Sequence, residues 1–171
     1  MGVGNLWRKR IQGCISNTPI FVLINGSAHS KFNTGKGITH GDPLSPFLFL
    51  IVSESLNIMF QIGHETGHIG GFAVNANGFK VSHLRYADDT LVFLDDSTEQ
   101  MNCLRYYLLG FEMVSVLRIN FAKCSLYGVA NAVNMDAMTA MLGCKTESFP
   151  SIYLGFPLGD IAASFQNGKR L

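Results

Sequence analysis

The feature that most constrains this chain is a pair of adjacent carboxylates, Asp88 and Asp89, between two segments of strand composition. The first segment covers residues 81–86. The second, residues 91–94, is continuously apolar, as in a strand buried on both faces. The link fits only a tight hairpin turn, so both carboxylates are predicted to project from its tip. Two such groups repel each other, and a divalent cation such as Mg²⁺, which prefers carboxylate oxygens, would offset the repulsion. A solvated turn is the alternative, since Asp is a common turn residue.

The composition is that of a folded domain. The 171 residues are 47% hydrophobic and 15% charged with a net charge of +1, so a core of ordinary size is expected. The near-neutral charge disfavours a self-standing nucleic-acid-binding module, which is usually basic. The four cysteines form no C-x-x-C pair and are expected to be reduced and mostly buried. The longest apolar run, residues 47–52, is too short for a membrane span, and no signal peptide is evident. We therefore expect a soluble intracellular protein without membrane contact.

The N-terminal third begins with an amphipathic helix followed by a hairpin. Leu6, Trp7 and Ile11 fall at helical spacing, and the helix is predicted to end near Gly13. Residues 20–24 have strand composition, and the Asn-Gly pair that follows predicts a hairpin turn.

A loop rich in glycine and proline, residues 35–46, precedes the next helix. Ser45 is a suitable N-cap and Pro46 suits the first helical position, so a helix over residues 46–62 is predicted. Its first turns are apolar nearly all round, which predicts central burial. A glycine-rich loop before a helix lets the backbone approach a ligand closely, phosphate included, although most such stretches are simply turns.

Residues 64–68 match H-E-x-x-H, the pattern of zinc proteases, and leave a zinc hydrolase as a minor alternative. That pattern places two His one turn apart on a helix with the Glu as base, here His64, Glu65 and His68. Several glycines crowd the segment and disfavour a helix, at about 1 kcal/mol each. A flexible link between a helix and a strand is the favoured interpretation.

The second half predicts more helices and short strands. Ser97 and Gln100 form a capping box that opens a helix over residues 98–115, with a regular apolar stripe. Short strands are predicted at residues 117–120 and 124–128. A helix capped by Asn134 is predicted over residues 135–142, an edge segment over 152–159 and a polar tail over 161–171.

Four stretches, taken in order, carry a resemblance to a known family. They are residues 41–46, 86–89, 117–123 and 153–159, and together they resemble the palm of a reverse transcriptase from a plant-type non-LTR retrotransposon. The resemblance implies an α+β fold: an incomplete polymerase palm with a short antiparallel sheet around the Asp-Asp hairpin and helices packed on one face. It also implies a partial reverse transcriptase domain over residues 1–160.

The family's chemistry assigns roles to particular residues. Two-metal nucleotidyl transfer implies Mg²⁺ or Mn²⁺, weakly bound, with Asp88 as the direct ligand and Asp89 supporting it. Tyr86 matches a residue near the primer terminus, and Lys123 matches a lysine near the triphosphate. The implied partners are an RNA template, a DNA primer and a deoxynucleoside triphosphate. In this family one loop lies against the incoming nucleotide and the template base. The residues that match this loop are Gly37, His40, Gly41, Asp42 and Pro43.

The sequence departs from the family pattern in ways that predict low activity. Residues 38–40 are Ile-Thr-His where the family usually has Leu-Arg-Gln, and Val116 stands where a helix normally ends in glycine. The family also uses a metal-binding Asp on an upstream strand, and no acidic residue precedes Asp42. We therefore expect a reverse transcriptase that is inactive as this isolated chain. The alternative is a non-catalytic retroelement remnant or a nucleic-acid-binding module.

Overall fold

Helices and short strands alternate along the chain in the structure, a computed structural model that describes residues 4–16, 19–33, 43–74, 78–129 and 132–159. The elements in order are α1 (Asn5–Ile15), β1 (Pro19–Ile24), β2 (Ser27–Asn33), α2 (Ser45–Glu65), β3 (Phe72–Ala73), β4 (Lys80–Val81), β5 (His83–Tyr86), β6 (Asp89–Val92), α3 (Thr98–Ser115), a 3-10 turn (Phe121–Lys123), β7 (Ser125–Tyr127), α4 (Met135–Leu142), β8 (Lys145–Glu147), β9 (Ser151–Tyr153) and β10 (Phe156–Leu158). The α+β class is confirmed.

The described strands form five separate two-stranded ladders, whereas one short sheet around the Asp-Asp hairpin was predicted. Four ladders join neighbouring strands in antiparallel pairs, namely β1 with β2, β3 with β4, β5 with β6, and β9 with β10. The fifth pairs β7 with β8 in parallel, on either side of α4. Most of these strands are only two to four residues long, so each offers few backbone groups for a further neighbour.

The chain divides into two compact units, residues 1–51 and 52–171. In the first unit, α1 continues two residues beyond the predicted end at Gly13. The predicted hairpin is present, with Ile24 paired to Ser27 across a two-residue turn. Asn25 and Gly26 in that turn have φ of 50° and 78°, both positive as in a type I′ turn.

Helix α2 is longer and less evenly buried than predicted, since it runs over Ser45–Glu65. Phe47, in its first turn, is 63% exposed, while Leu56 and Phe60 are buried. In the first turns Leu48 is buried while Leu50 and Ile51 are exposed, so burial there is confined to one side of the helix. By length and mean hydropathy (1.4) α2 could cross a membrane, but a core helix passes the same test, and Leu56 and Phe60 lie in a hydrophobic core.

The core of the second unit lies where α2, α3 and α4 meet. Its buried members are Leu56, Phe60, Ile69, Met101, Leu104, Phe111 and Met138. Val92 and Leu94, from the apolar arm after the Asp-Asp hairpin, pack against this core but remain half-buried. The prediction that residues 91–94 are buried on both faces is therefore wrong. Leu91 and Phe93, on the other side of the strand, are also half-buried, and Phe93 packs against Phe72 at 5.7 Å.

Ser97 caps helix α3 as predicted, but the Gln100 side chain does not complete the capping box. The Ser97 hydroxyl accepts a hydrogen bond from the Gln100 N–H at 3.3 Å, as a capping box requires. The Gln100 side chain does not return to Ser97. Its amide oxygen accepts bonds from the backbone N–H groups of Gly70 (2.9 Å) and Asp95 (3.1 Å). One side chain thus joins the start of α3 to the loop that follows α2.

Two sequence assignments after α3 change in the structure. Residues 117–120 form no strand. The N–H of Ile119 is bonded instead to the Glu112 carboxylate at 2.6 Å, so a side chain takes the place of a strand partner. Asn134 makes no side-chain cap for α4, and its side-chain amide donates instead to the Asp96 carbonyl oxygen at 3.2 Å. The Asp96 carboxylate accepts the N–H groups of Val133 (2.8 Å) and Asn134 (3.1 Å). The predicted edge segment 152–159 is a hairpin of two strands, β9 and β10. The predicted polar tail lies outside the described residues.

Val116→Gly should raise the free energy of unfolding by about 0.5–1 kcal/mol. Val116 ends α3 with φ 62° and ψ 4°, the left-handed conformation that costs an L-residue roughly 1–2 kcal/mol. Glycine avoids this cost, but its greater conformational freedom in the unfolded chain offsets part of the stabilisation. Its side chain is 78% exposed, so the substitution removes little packing. Urea unfolding measures the change.

Val114→Gly is the matched control for that substitution. Val114 is 80% exposed within α3, where glycine should lower stability by a few tenths of a kcal/mol, roughly the Val–Gly difference in helix propensity. Loss of stability in both variants would contradict a left-handed Val116.

Candidate active site at the Asp88–Asp89 hairpin

Asp88 and Asp89 lie at the tip of the hairpin that β5 and β6 form. Tyr86 pairs with Asp89, so Ala87 and Asp88 make a two-residue turn. Ala87 has φ 50°, a conformation that favours glycine, so the turn holds a small amount of backbone strain. Both carboxylates are exposed. The tip therefore presents two adjacent anionic groups to solvent.

One face of the hairpin is fastened to α2 by polar side chains. The Arg85 guanidinium donates to the carbonyl oxygen of Ser53. The Nε2 of His83 lies 2.5 Å from the Asn57 Oδ1, and the His83 ring packs edge-on against Phe60 at 5.2 Å. These contacts fix the hairpin on the face of α2 that also carries the buried core residues Leu56 and Phe60, so the carboxylate tip sits on a rigid support.

The electrostatics of this attachment favour a neutral His83. Burial lowers the pKa of His83, and the nearby positive charge of Arg85 lowers it further, against an opposing effect of Glu54. A histidine whose pKa is lowered on folding contributes stability above its unfolded pKa and loses it as the pH falls. We therefore expect the hairpin attachment to weaken under acidic conditions.

The opposite face of the hairpin is open. Leu84 and Tyr86 alternate with the attached residues and are 46% and 65% exposed. Tyr86 and Asp89 are directly paired, so an aromatic ring and a carboxylate lie side by side on this face. The Tyr86 ring could pack against a flat or sugar-like part of a ligand, while the Asp89 carboxylate could contact a metal ion bound to the ligand's anionic part.

The donor set at the tip fits a hard divalent cation only in part. Mg²⁺ is commonly held by one or two carboxylates together with waters and substrate phosphates, which Asp88 and Asp89 match in type and number. Within the described ranges, no group of three or more His, Cys, Asp or Glu side chains could hold a metal ion. These two carboxylates alone would therefore bind such an ion weakly.

The structure brings together only some of the residues that the sequence singles out. Tyr86, Asp88 and Asp89 share one hairpin. Lys123 is exposed on a separate element, the 3-10 turn Phe121–Lys123. Pro43 is exposed in the turn before α2 and belongs to the first unit. Gly37, His40, Gly41 and Asp42 lie outside the described residues.

The H-E-x-x-H segment does not form the helix pair that a zinc protease needs. Helix α2 ends at Glu65, so His68 falls beyond the helix. The Nδ1 of His64 lies 3.0 Å from the carbonyl oxygen of Ile69, and the Nδ1 of His68 lies 2.9 Å from the Tyr107 hydroxyl. The structure gives no support to the zinc hydrolase alternative, because the helix ends before the second histidine of the pattern.

Tyr153 begins the stretch 153–159 that contributes to the family resemblance, but an electrostatic effect of Asp89 on it was not predicted. Its hydroxyl is buried and has no hydrogen-bond partner among the residues that the structure describes. Burial raises the pKa of Tyr153, and the negative charge of Asp89 raises it further. Strand β9 therefore lies within electrostatic reach of the carboxylate tip. No local pattern relates two residues so far apart in the chain.

Comparison with known proteins identifies the family. The family described as reverse transcriptase (RNA-dependent DNA polymerase) matches residues 5–158, so the chain belongs to the reverse transcriptase family. A relative is an uncharacterised mitochondrial protein of Arabidopsis thaliana, 35% identical over 71 residues. That match covers 42% of this chain and 58% of the relative, so the chain spans little more than half of the relative's length.

The family match confirms the predicted reverse transcriptase domain of a retroelement and gives no support to the zinc alternative. Reverse transcriptases generally depend on divalent metal ions and act on nucleic-acid templates and nucleotide substrates. The non-LTR subtype, the roles of individual residues and the domain boundaries stay predictions.

Proposed function

We propose that this chain is part of a non-LTR retrotransposon reverse transcriptase and contributes the Asp88–Asp89 hairpin of its palm to RNA-templated DNA synthesis. The observation that carries the proposal is the hairpin itself. Two adjacent carboxylates are exposed at its tip, while His83 and Arg85 fasten its other face to α2. Such a rigid, exposed anionic pair is what a metal-dependent nucleotidyltransferase requires.

In the proposed mechanism, each residue has a separate task. Asp88 and Asp89 would hold the divalent ions, which on binding activate the primer hydroxyl and stabilise the leaving pyrophosphate. Tyr86, exposed beside Asp89, would pack near the primer terminus. Lys123 would supply a proton and a positive charge to the pyrophosphate. The loop of residues 37–43 would lie against the incoming nucleotide and the template base.

We expect the chain by itself to extend a primer little, because two carboxylates are a small donor set for two ions. Wild-type protein should bind Mn²⁺ weakly, as measured by the loss of the free-ion electron paramagnetic resonance signal. Asp88→Asn should weaken that binding by about tenfold or more, because the substitution removes a charged ligand. Primer extension on an RNA template with Mg²⁺ or Mn²⁺ is the second measurement.

Asp136→Asn is the matched control, since Asp136 is an exposed carboxylate on the first turn of α4. It should leave Mn²⁺ binding unchanged. Equal binding by wild type and Asp88→Asn would remove the metal site from the proposal. Robust primer extension by wild type, abolished in Asp88→Asn, would keep the site and contradict the expected low activity.

A non-catalytic role is the second candidate, favoured by the departures at residues 38–40 and by Val116 in a left-handed helix end. A nucleic-acid-binding module should bind RNA with an affinity that falls steeply with salt. Salt-dependent binding together with Mn²⁺ affinity that Asp88→Asn does not alter would favour this candidate.

A further inference from the structure

Two cysteines, Cys124 and Cys144, directly precede the parallel strands β7 and β8. Ser125 pairs with Lys145, and the N–H of Lys145 donates to the carbonyl oxygen of Cys124 at 3.1 Å. Both cysteines are one residue before this pair, so they stand one step outside the ladder. In a parallel pair, residues at matching positions have side chains on the same face. The register therefore sets the two thiols side by side.

The spacing of the strands suits a covalent bond between these thiols. Neighbouring strands lie about 4.7–4.9 Å apart, and the Cα atoms of disulfide-bonded cysteines are usually about 4.4–6.8 Å apart. Cys124 has extended backbone geometry, with φ −76° and ψ 144°, so it continues the strand direction of β7. The Cys124 thiol donates to the carbonyl oxygen of Asn120 at 3.5 Å, so formation of the bond would replace that weak contact.

Both thiols are free and half-buried, and the charge of one affects the pKa of the other. Burial raises the pKa of Cys124, and it also raises the pKa of Cys144, where the negative charge of an ionised Cys124 adds to the effect. The effect of Cys124 on Cys144 requires proximity, which agrees with the strand register. Because thiolate is the reactive form, the pair should exchange slowly at neutral pH and faster in alkaline solution.

We propose that Cys124 and Cys144 form a redox-modification site, which becomes an intramolecular disulfide on reaction with a small disulfide such as oxidised glutathione. One thiolate attacks the glutathione disulfide, forms a mixed disulfide and releases one glutathione thiolate. The second cysteine thiolate then attacks the protein sulfur of that mixed disulfide and releases the second glutathione thiolate. The protein loses two protons and two electrons, and one oxidised glutathione becomes two reduced molecules.

The bond would tie together the two strands that flank α4. It would close the chain between residues 124 and 144, and cross-links of such loops stabilise the folded state chiefly by restricting the unfolded chain. The inference depends on the register of β7 and β8 and is independent of the proposed polymerase role. Its failure would leave the Asp88–Asp89 site unaffected.

The test treats the full chain with mixtures of reduced and oxidised glutathione in mildly alkaline buffer, followed by mass spectrometry of the intact protein and of its peptides. The expected product has lost two hydrogens, carries no glutathione on these residues and contains a peptide that links Cys124 to Cys144. Its melting temperature should rise by roughly 5–10 °C and return on reduction.

Variants separate this pair from the other two cysteines. Cys124→Ser should leave Cys144 as a glutathione adduct and remove the thermal shift, while Cys14→Ser should behave like wild type. Mapping of the wild-type protein alone is decisive where a variant fails to fold. The proposal is overturned by separate glutathione adducts on Cys124 and Cys144, by a bond from either to Cys103 or to another chain, or by two thiols that stay reduced under strongly oxidising mixtures.

Discussion

Phe60→Ala should lower the free energy of unfolding by about 3–5 kcal/mol, the usual cost of removing a fully buried aromatic side chain. Phe60 is 0% exposed and lies among the buried residues that α2, α3 and α4 contribute. Its ring also supports His83, edge-on at 5.2 Å. The truncation would therefore leave a cavity in the core and loosen the attachment of the Asp88–Asp89 hairpin.

Urea unfolding followed by circular dichroism measures this loss, and Phe47→Ala is the matched control. Phe47 stands on the same helix and is 63% exposed, so its truncation should change stability by no more than about 0.5 kcal/mol. Similar losses in the two variants would show that the core is not centred on Phe60.

Gln100→Met should lower the free energy of unfolding by about 1–3 kcal/mol. Methionine is of similar length and favours helices equally well, so the change isolates the lost amide group. The Gln100 amide oxygen accepts the N–H groups of Gly70 and Asp95, and its amide nitrogen donates to the Asp95 carboxylate at 2.7 Å. Gly70 is half-buried, so its N–H would be left without an acceptor in a poorly hydrated place.

Gln61→Met provides the comparison, because Gln61 bonds only an exposed neighbour on its own helix, the Glu65 carboxylate at 3.0 Å. That variant should change stability by about 0.5 kcal/mol or less. Amide hydrogen exchange locates the effect, since Gln100→Met should speed exchange at Gly70 selectively. Unchanged protection at Gly70 would contradict the bridging role of Gln100.

Features that depend on neighbouring residues in the chain were predictable. The Asn-Gly pair predicted the turn of the first hairpin, and Ser97 predicted the start of α3, because both act through backbone groups within a few residues. Val116 was predicted to occupy an unfavourable helix end, and it has the positive φ that makes valine unsuitable there. The order of the motifs was sufficient to indicate the family, which the match over residues 5–158 confirms.

Predictions failed where a distant group took the place of a local partner. Residues 117–120 have strand composition, but the Glu112 side chain satisfies the N–H of Ile119. Asn134 precedes a helix, but its side-chain amide donates to the Asp96 carbonyl oxygen and makes no cap. In each case a tertiary contact outweighed a local preference worth about 1 kcal/mol or less.

The sequence by itself determined the Asp88–Asp89 hairpin and the family to which this chain belongs, since both depend on the types and order of residues along the chain. Only the tertiary structure decided which side of that hairpin is fastened to α2, and that Tyr153 lies within reach of Asp89. It also paired Ser125 with Lys145, which brings Cys124 and Cys144 to the start of neighbouring strands. These relations join residues far apart in the chain. They arise from packing of complete elements, which local propensity does not encode.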